Sequence, residues 1–110
     1  MNDVNAAVIQ RLFETILDRR GAAADTSYTA ALFEKGVAGI AEKVGEEALE
    51  TIDAALGEGP ERLVSESADL LYHLFVLWAE RGIAPADVWA ELERREGTSG
   101  IAEKQSRGKN

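Results

Sequence analysis

Cysteine is absent from the 110 residues, and histidine and methionine each occur once. The first absence excludes disulfides, thiolate metal sites and nucleophilic cysteine chemistry. Basic residues are also scarce: 12 Lys and Arg stand against 20 Asp and Glu, a formal net charge of −8. A broad nucleic-acid surface is therefore not expected, because phosphate contacts need clustered cations. A small anionic substrate stays possible, since acids that hold a divalent ion turn part of an acidic surface into a phosphate-binding place. No apolar run reaches the roughly 20 residues that span a bilayer, and Met1-Asn2-Asp3-Val4 lacks the basic start of a signal peptide. No membrane partner and a cytoplasmic location are the expectations. Hydrophobic residues at 45% and charged residues at 29% fit one small globular domain.

The pattern is helical throughout, with no segment that reads as a strand, so an all-α bundle of about four to five helices is predicted. Val4, Val8, Leu12, Phe13, Ile16 and Leu17 form one stripe, with Gly21 as its stop. Thr26 or Ser27 is placed to cap a short helix over 29–35, which Gly36 ends. The helical pattern resumes at Val37 and runs to Leu56, with Val44, Ala48, Leu49, Ile52, Ala55 and Leu56 expected to face inward. Gly57-Glu58-Gly59 breaks it, and Pro60 opens a helix to about Arg81. Ala68 to Ala79 is nearly all apolar, with Asp69 and His73 the strongly polar exceptions. A helix apolar all round must be covered on all sides, and a chain this small has too few elements to do it. A homodimer with this helix at its shared centre is the expectation. Ala84-Pro85 starts a last helix to about Arg95 with Val88, Trp89 and Leu92 as its apolar face. The organisation read is a domain over 1–96 and a mobile or substrate-ordered tail over 97–110.

The candidate chemistry lies at residues 43 to 73. Glu46, Glu47 and Glu50 share one helix face, and Glu66 and Asp69 share a face of the next. A short hairpin lets the two faces meet. Charged helix faces are usually just solvated, and one such pair would carry little. Here Glu66 and Asp69 border the apolar run, where uncompensated acids are unfavourable. A shared cation makes the crowding tolerable. Oxygen ligands without cysteine favour Mg²⁺, with Mn²⁺ as an alternative, over zinc. Metal-bound phosphate beside a water is a hydrolysis site. His73, one turn past Asp69, is read either as a hydrogen-bonded core residue or as a substrate contact. Lys35 and Lys43 flank the acids and are either phosphate contacts or solvated.

Glu46-Glu47-x-x-Glu50, fifteen intervening residues, then Glu66-x-x-Asp69 resembles the acidic signature of the all-α nucleotide pyrophosphohydrolases, the superfamily of MazG and the dimeric dUTPases. More narrowly, Ser27-Tyr28-Thr29, Glu34-Lys35-Gly36, Lys43-Val44-Gly45-Glu46-Glu47-Ala48, Glu66-x-Ala68-Asp69-Leu70-Leu71-Tyr72-His73 and Arg81-Gly82 look like the phosphoribosyl-ATP pyrophosphohydrolase family. The ending Gly97-Thr98-Ser99-Gly100-Ile101-x-Glu103-Lys104-x-Ser106-Arg107 resembles its tailed members. The likeness covers about residues 8 to 107, and the acidic positions show no departure from it.

That resemblance implies a MazG-like bundle completed by dimerisation. It also implies hydrolysis of phosphoribosyl-ATP to phosphoribosyl-AMP and pyrophosphate, the second step of histidine biosynthesis, by a form without a fused cyclohydrolase domain. It assigns Glu47, Glu50, Glu66 and Asp69 to Mg²⁺, and Glu46 as an extra ligand or water-orienting base beside Glu47. Lys35, Lys43, Lys104 and Arg107 become candidates for phosphate contacts. Two rivals stand beside it: a housekeeping nucleoside triphosphate pyrophosphohydrolase of the MazG type, and a non-enzymatic helical dimer whose acids only keep it soluble.

Overall fold

The structure, a computed structural model, describes residues 4–107. The chain-start reading at Met1 to Asp3 and the last three residues of the predicted tail lie outside them. Five α-helices and no strand occur among the described residues: α1 (Ala7–Asp18), α2 (Tyr28–Gly57), α3 (Pro60–Glu80), α4 (Pro85–Arg95) and α5 (Gly100–Ser106), with a 3₁₀ turn, Arg19–Gly21, after α1. The all-α prediction holds.

Local chemistry sets the boundaries. The Ser27 hydroxyl accepts the Ala30 N–H at 3.1 Å, so Ser27 and not Thr26 caps α2. α2 is continuous only in outline. Gly36 sits at φ 73°, ψ −178°, so the stretch before it is a separate helical piece, as the sequence suggested. A residue with a Cβ adopts that φ only under strain. Pro60 and Pro85 both occupy first-turn positions, where a missing N–H is harmless. Gly21, by contrast, has no left-handed backbone; α1 instead runs down through the 3₁₀ turn.

α3 closes on Gly82 at φ 74°: Ile83 N donates to the Trp78 carbonyl at 2.8 Å and Gly82 N to the Ala79 carbonyl at 3.1 Å. These are the paired bonds of a Schellman motif. Gly82→Ala is expected to lower stability by about 1 kcal/mol, or roughly 4–6 °C in melting temperature. Thermal unfolding checks this; an unchanged melting point contradicts it. Arg20 secures the same helix end, giving N–H bonds to the Ala79 carbonyl (2.8 Å) and Glu80 (2.9 Å) while its guanidinium lies 4.7 Å from the Phe33 ring centre.

The core is Phe13 and Ile16 of α1, Leu32 and Ile40 of α2, and Phe75, Val76 and Ala79 of α3. α2 and α3 form the antiparallel hairpin, with α1 laid against α3. Several residues expected inward lie outside. Val4 and Leu17 are exposed, and so are Leu49 (64%), Ile52 (52%) and Leu56 (82%). Val44 and Ala48 are half-buried, as expected, and the stripe that α2 turns toward α3 runs through Ile40, Val44, Glu47, Thr51 and Ala54, buried or half-buried. α2 carries two apolar faces, and the single chain covers one of them.

α4 is held partly by charge. Its Glu91 accepts hydrogen bonds from Arg94 and Arg95, which hold the carboxyl down to about 2. Its contribution is present above the ordinary 4.5 and is lost as pH falls toward 2. On acidification through that window, the parent should lose melting temperature faster than Glu91→Gln; parallel profiles contradict this. α4 exposes Trp89 and Leu92, leaving Val88 as the half-buried member of its predicted face. Ser99 accepts the Ala102 N–H at 3.0 Å and opens α5, a helix that the sequence reading did not assign.

Candidate active site

Because the hairpin connection is only two residues long, the middle of α2 meets the first half of α3 at a fixed level. Thr51 marks it. Its hydroxyl lies 2.8 Å from the Glu47 carbonyl of its own helix and 3.2 Å from the Glu66 carbonyl of α3. One proton shared between two carbonyls pins the helices together where the acids sit.

Three carboxylates converge there. Glu47, Glu66 and Asp69 each offer an oxygen, all within 4.8 Å of one another. Glu47 (8% exposed) and Glu66 (4%) are buried, whereas Asp69 faces out. One oxygen of Glu66, Oε2, is paired with Arg62, while Oε1 is buried without a hydrogen-bond partner. Burial pushes the Glu66 carboxyl above its ordinary value; Arg62 opposes this, while Glu50, through its charge and its approach to hydrogen-bonding reach, and the charge of Asp69 add to it. A buried carboxylate oxygen left unsatisfied is costly. A divalent cation answers that cost. Mg²⁺ holds ligand oxygens at about 2.1 Å and so admits pairs up to about 4.2 Å apart, so a pair at the 4.8 Å limit of this group has to draw in by side-chain rotation. The donor type, all carboxylate oxygen, fits the ion.

Glu50 borders Glu66 and lines, with Asp53, Glu58 and Arg62, a cleft of ≈ 240 Å³ beside the cluster. Glu46 points to the surface, where Lys43 Nζ binds it at 3.2 Å. That bond is the main cause of the raised Lys43 pKa, and the nearby Tyr28 contributes after it.

Tyr28, Tyr72 and His73 form an aromatic shelf next to the acids. Tyr28 and Tyr72 stack at 6.1 Å between ring centres, and His73 meets both edge-on. His73 Nδ1 lies 2.7 Å from the Asp69 carbonyl, which can only accept, so Nδ1 carries the proton. Nε2 pairs with the Tyr28 hydroxyl at 2.8 Å. Burial raises the Tyr28 pKa, against the pull of Lys43. Tyr72 is hydrogen-bonded in turn to Thr29. His73 is thus a buried residue with both nitrogens engaged, and it sets the position of Tyr28.

Of the sequence-predicted ligands, Glu47, Glu66 and Asp69 come together, and Glu50 stands beside them. Lys43 faces the same side through Glu46. Lys35 is exposed on the first piece of α2, and Lys104 and Arg107 are exposed at the chain's far end, in or just beyond α5. The sequence reading missed Arg62, Thr51 and the hydroxyl of Tyr28. Arg62 could have been found as a cation four residues before Glu66. Tyr28 could not, because its partner is 45 positions away.

An all-helical chain with a carboxylate cluster at a hairpin, and no cysteine nucleophile, defines a class: a helical protein whose acids are grouped closely enough to form a candidate metal site. Residues 9–96 match the family model described as phosphoribosyl-ATP pyrophosphohydrolase. The chain belongs to that family. It is 58% identical over 104 residues to the phosphoribosyl-ATP pyrophosphatase of Azospirillum brasilense, covering 94% of each chain. Against the Paramagnetospirillum magneticum protein of the same name it is 57% identical over 105 residues, covering 96% of each. With that of Geobacter sulfurreducens the identity is 56% over 100 residues, covering 91% of this chain and 93% of the relative.

Proposed function

We propose that the protein hydrolyses phosphoribosyl-ATP to phosphoribosyl-AMP and pyrophosphate, in histidine biosynthesis, by direct attack of water. The observation that carries this is the meeting of Glu47, Glu66 and Asp69 in a chain of this family, with one buried Glu66 oxygen left open. Glu47, Glu66 and Asp69, with Glu50 at the rim, hold Mg²⁺. The chemistry supplied by a bound Mg²⁺ is charge neutralisation at the phosphoanhydride oxygens and a lowered pKa for the attacking water.

The chain's own residues do the rest. Glu46, at the mouth, orients the water and takes its proton, with Glu47 the second acid at that position. The new bond joins the water oxygen to phosphorus, the anhydride P–O bond breaks, and pyrophosphate leaves. Lys43 turns from Glu46 to the phosphates, a small change because an exposed pair of this kind contributes little stability. His73 acts through Tyr28, whose hydroxyl it holds while the half-exposed ring is left to meet the substrate. Lys35, Lys104 and Arg107 are assigned to the phosphates, the last two on the C-terminal tail that substrate orders.

The working form is a homodimer in the cytoplasm. Leu49, Ile52 and Leu56 of α2, with Val64 and Leu71 of α3, are exposed on one chain, and a second copy covers such a surface. Among the described residues no helix is long and apolar enough to cross a membrane.

The test is pyrophosphate release with Mg²⁺ from phosphoribosyl-ATP against a panel of ordinary nucleoside triphosphates. The proposal expects the highest kcat/KM for phosphoribosyl-ATP. Equal or faster turnover of ordinary triphosphates would move the assignment to a housekeeping hydrolase.

A further inference from the structure

Arg62 occupies a position that the proposed reaction does not use. It is the sole basic residue among the five lining the acidic cleft, the others being Glu50, Asp53, Glu58 and Glu66. Its guanidinium reaches two acids on the α3 side of that cleft: Nη2 is bonded to Glu66, and Nε lies 3.4 Å from Glu58. Residues 58, 62 and 66 are thus a ladder at four-residue spacing, with the cation in the middle. The two ends of the ladder differ. Glu66 is buried, with its second oxygen open, whereas Glu58 and Arg62 are largely exposed.

We infer that Arg62 is a resident counter-cation of the cluster, displaced toward Glu58 when a divalent ion binds, so that metal binding is an exchange of guanidinium for metal. This rests on the metal-site reading above. The physical argument is charge. Without an ion, Glu47, Glu66 and Asp69 crowd three negative charges around a buried oxygen, and Arg62 supplies the nearest positive one. An incoming divalent ion meets that positive charge on the same carboxylate, and the two repel at close range in a partly dry site. Arg62 need not leave the cleft to relieve this. Its side chain is already exposed, its second partner is one turn back, and turning to Glu58 buries no charge. The exchange weakens metal affinity in return for a stable empty site.

Linkage makes this measurable, because a residue that favours the empty state must oppose the ion by the same factor. The experiment is calorimetric titration of Mg²⁺ alone, with no nucleotide, into the full chain and three variants: Arg62→Gln, Glu58→Gln and both together. Arg62→Gln is expected to bind Mg²⁺ tighter, on the order of tenfold. Its melting temperature should fall in chelator and recover at saturating Mg²⁺. Glu58→Gln removes the place to which Arg62 turns, so it should weaken binding when Arg62 is present and change nothing in the Arg62→Gln background. A plain surface ion pair would not produce that dependence. If the parent chain binds Mg²⁺ and Arg62→Gln binds it equally or more weakly, the inference is overturned and the metal site stands. If the parent chain binds no Mg²⁺, the metal-site reading falls and this inference with it.

Discussion

Asp69→Asn is expected to lower the rate of pyrophosphate release from phosphoribosyl-ATP roughly 10³-fold, and Glu47→Gln by a similar factor, with the fold retained. Either change replaces one of three converging carboxylates by a neutral amide, and the loss of metal-supplied transition-state stabilisation is several kcal/mol, each ~1.4 kcal/mol being a factor of ten. Folding survives because neither residue is part of the apolar core of Phe13, Ile16, Leu32, Ile40, Phe75, Val76 and Ala79. In chelator the variants should melt at or slightly above the parent, since one of several crowded like charges is gone. Steady-state kinetics with melting curves checks both halves. Activity within about twofold of the parent, against the expected ~10³-fold loss, would support the non-enzymatic helical dimer instead.

Removal of divalent ions should silence the protein and soften it together. Chelator is expected to reduce pyrophosphate release to background. Restoring Mg²⁺ to about 100 times its Kd should raise stability by about 2.7 kcal/mol, or about 10 °C for a chain of this size. The stabilisation comes from binding to the folded state alone, since the unfolded chain does not gather Glu47, Glu66 and Asp69. Scanning calorimetry with and without the ion reads it directly. A melting temperature indifferent to Mg²⁺ over that range contradicts the site.

Much of this was legible in the sequence, for stated reasons. Pro60, Pro85 and Gly36 restrict or free the backbone by covalent structure alone, so helix starts and the break in α2 could be read without a fold. The acids were legible because three- and four-residue spacing on two helices joined by Glu58-Gly59 leaves few ways for them not to meet. Which apolar face of α2 points inward was not legible. Leu49, Ile52 and Leu56 are as hydrophobic as any core stripe, and periodicity cannot tell a face covered by the same chain from one left outside it. The inward face is instead the one bearing Glu47, a residue that composition alone assigns to solvent. His73 was read two ways because its ring partners, the Tyr28 hydroxyl and the Asp69 carbonyl, depend on tertiary contact and backbone geometry. Gly21 looked like Gly82, yet only Gly82 takes the left-handed conformation, because only there do the next residues turn back onto the helix end.

The most direct measurement is a crystal of the protein grown with Mn²⁺, with anomalous scattering recorded at the manganese edge. The account predicts a manganese peak between the carboxylates of Glu47, Glu66 and Asp69, with Glu66 Oε1 among its ligands and Arg62 turned to Glu58. Those three side chains without manganese, with the ion elsewhere or absent, would contradict it.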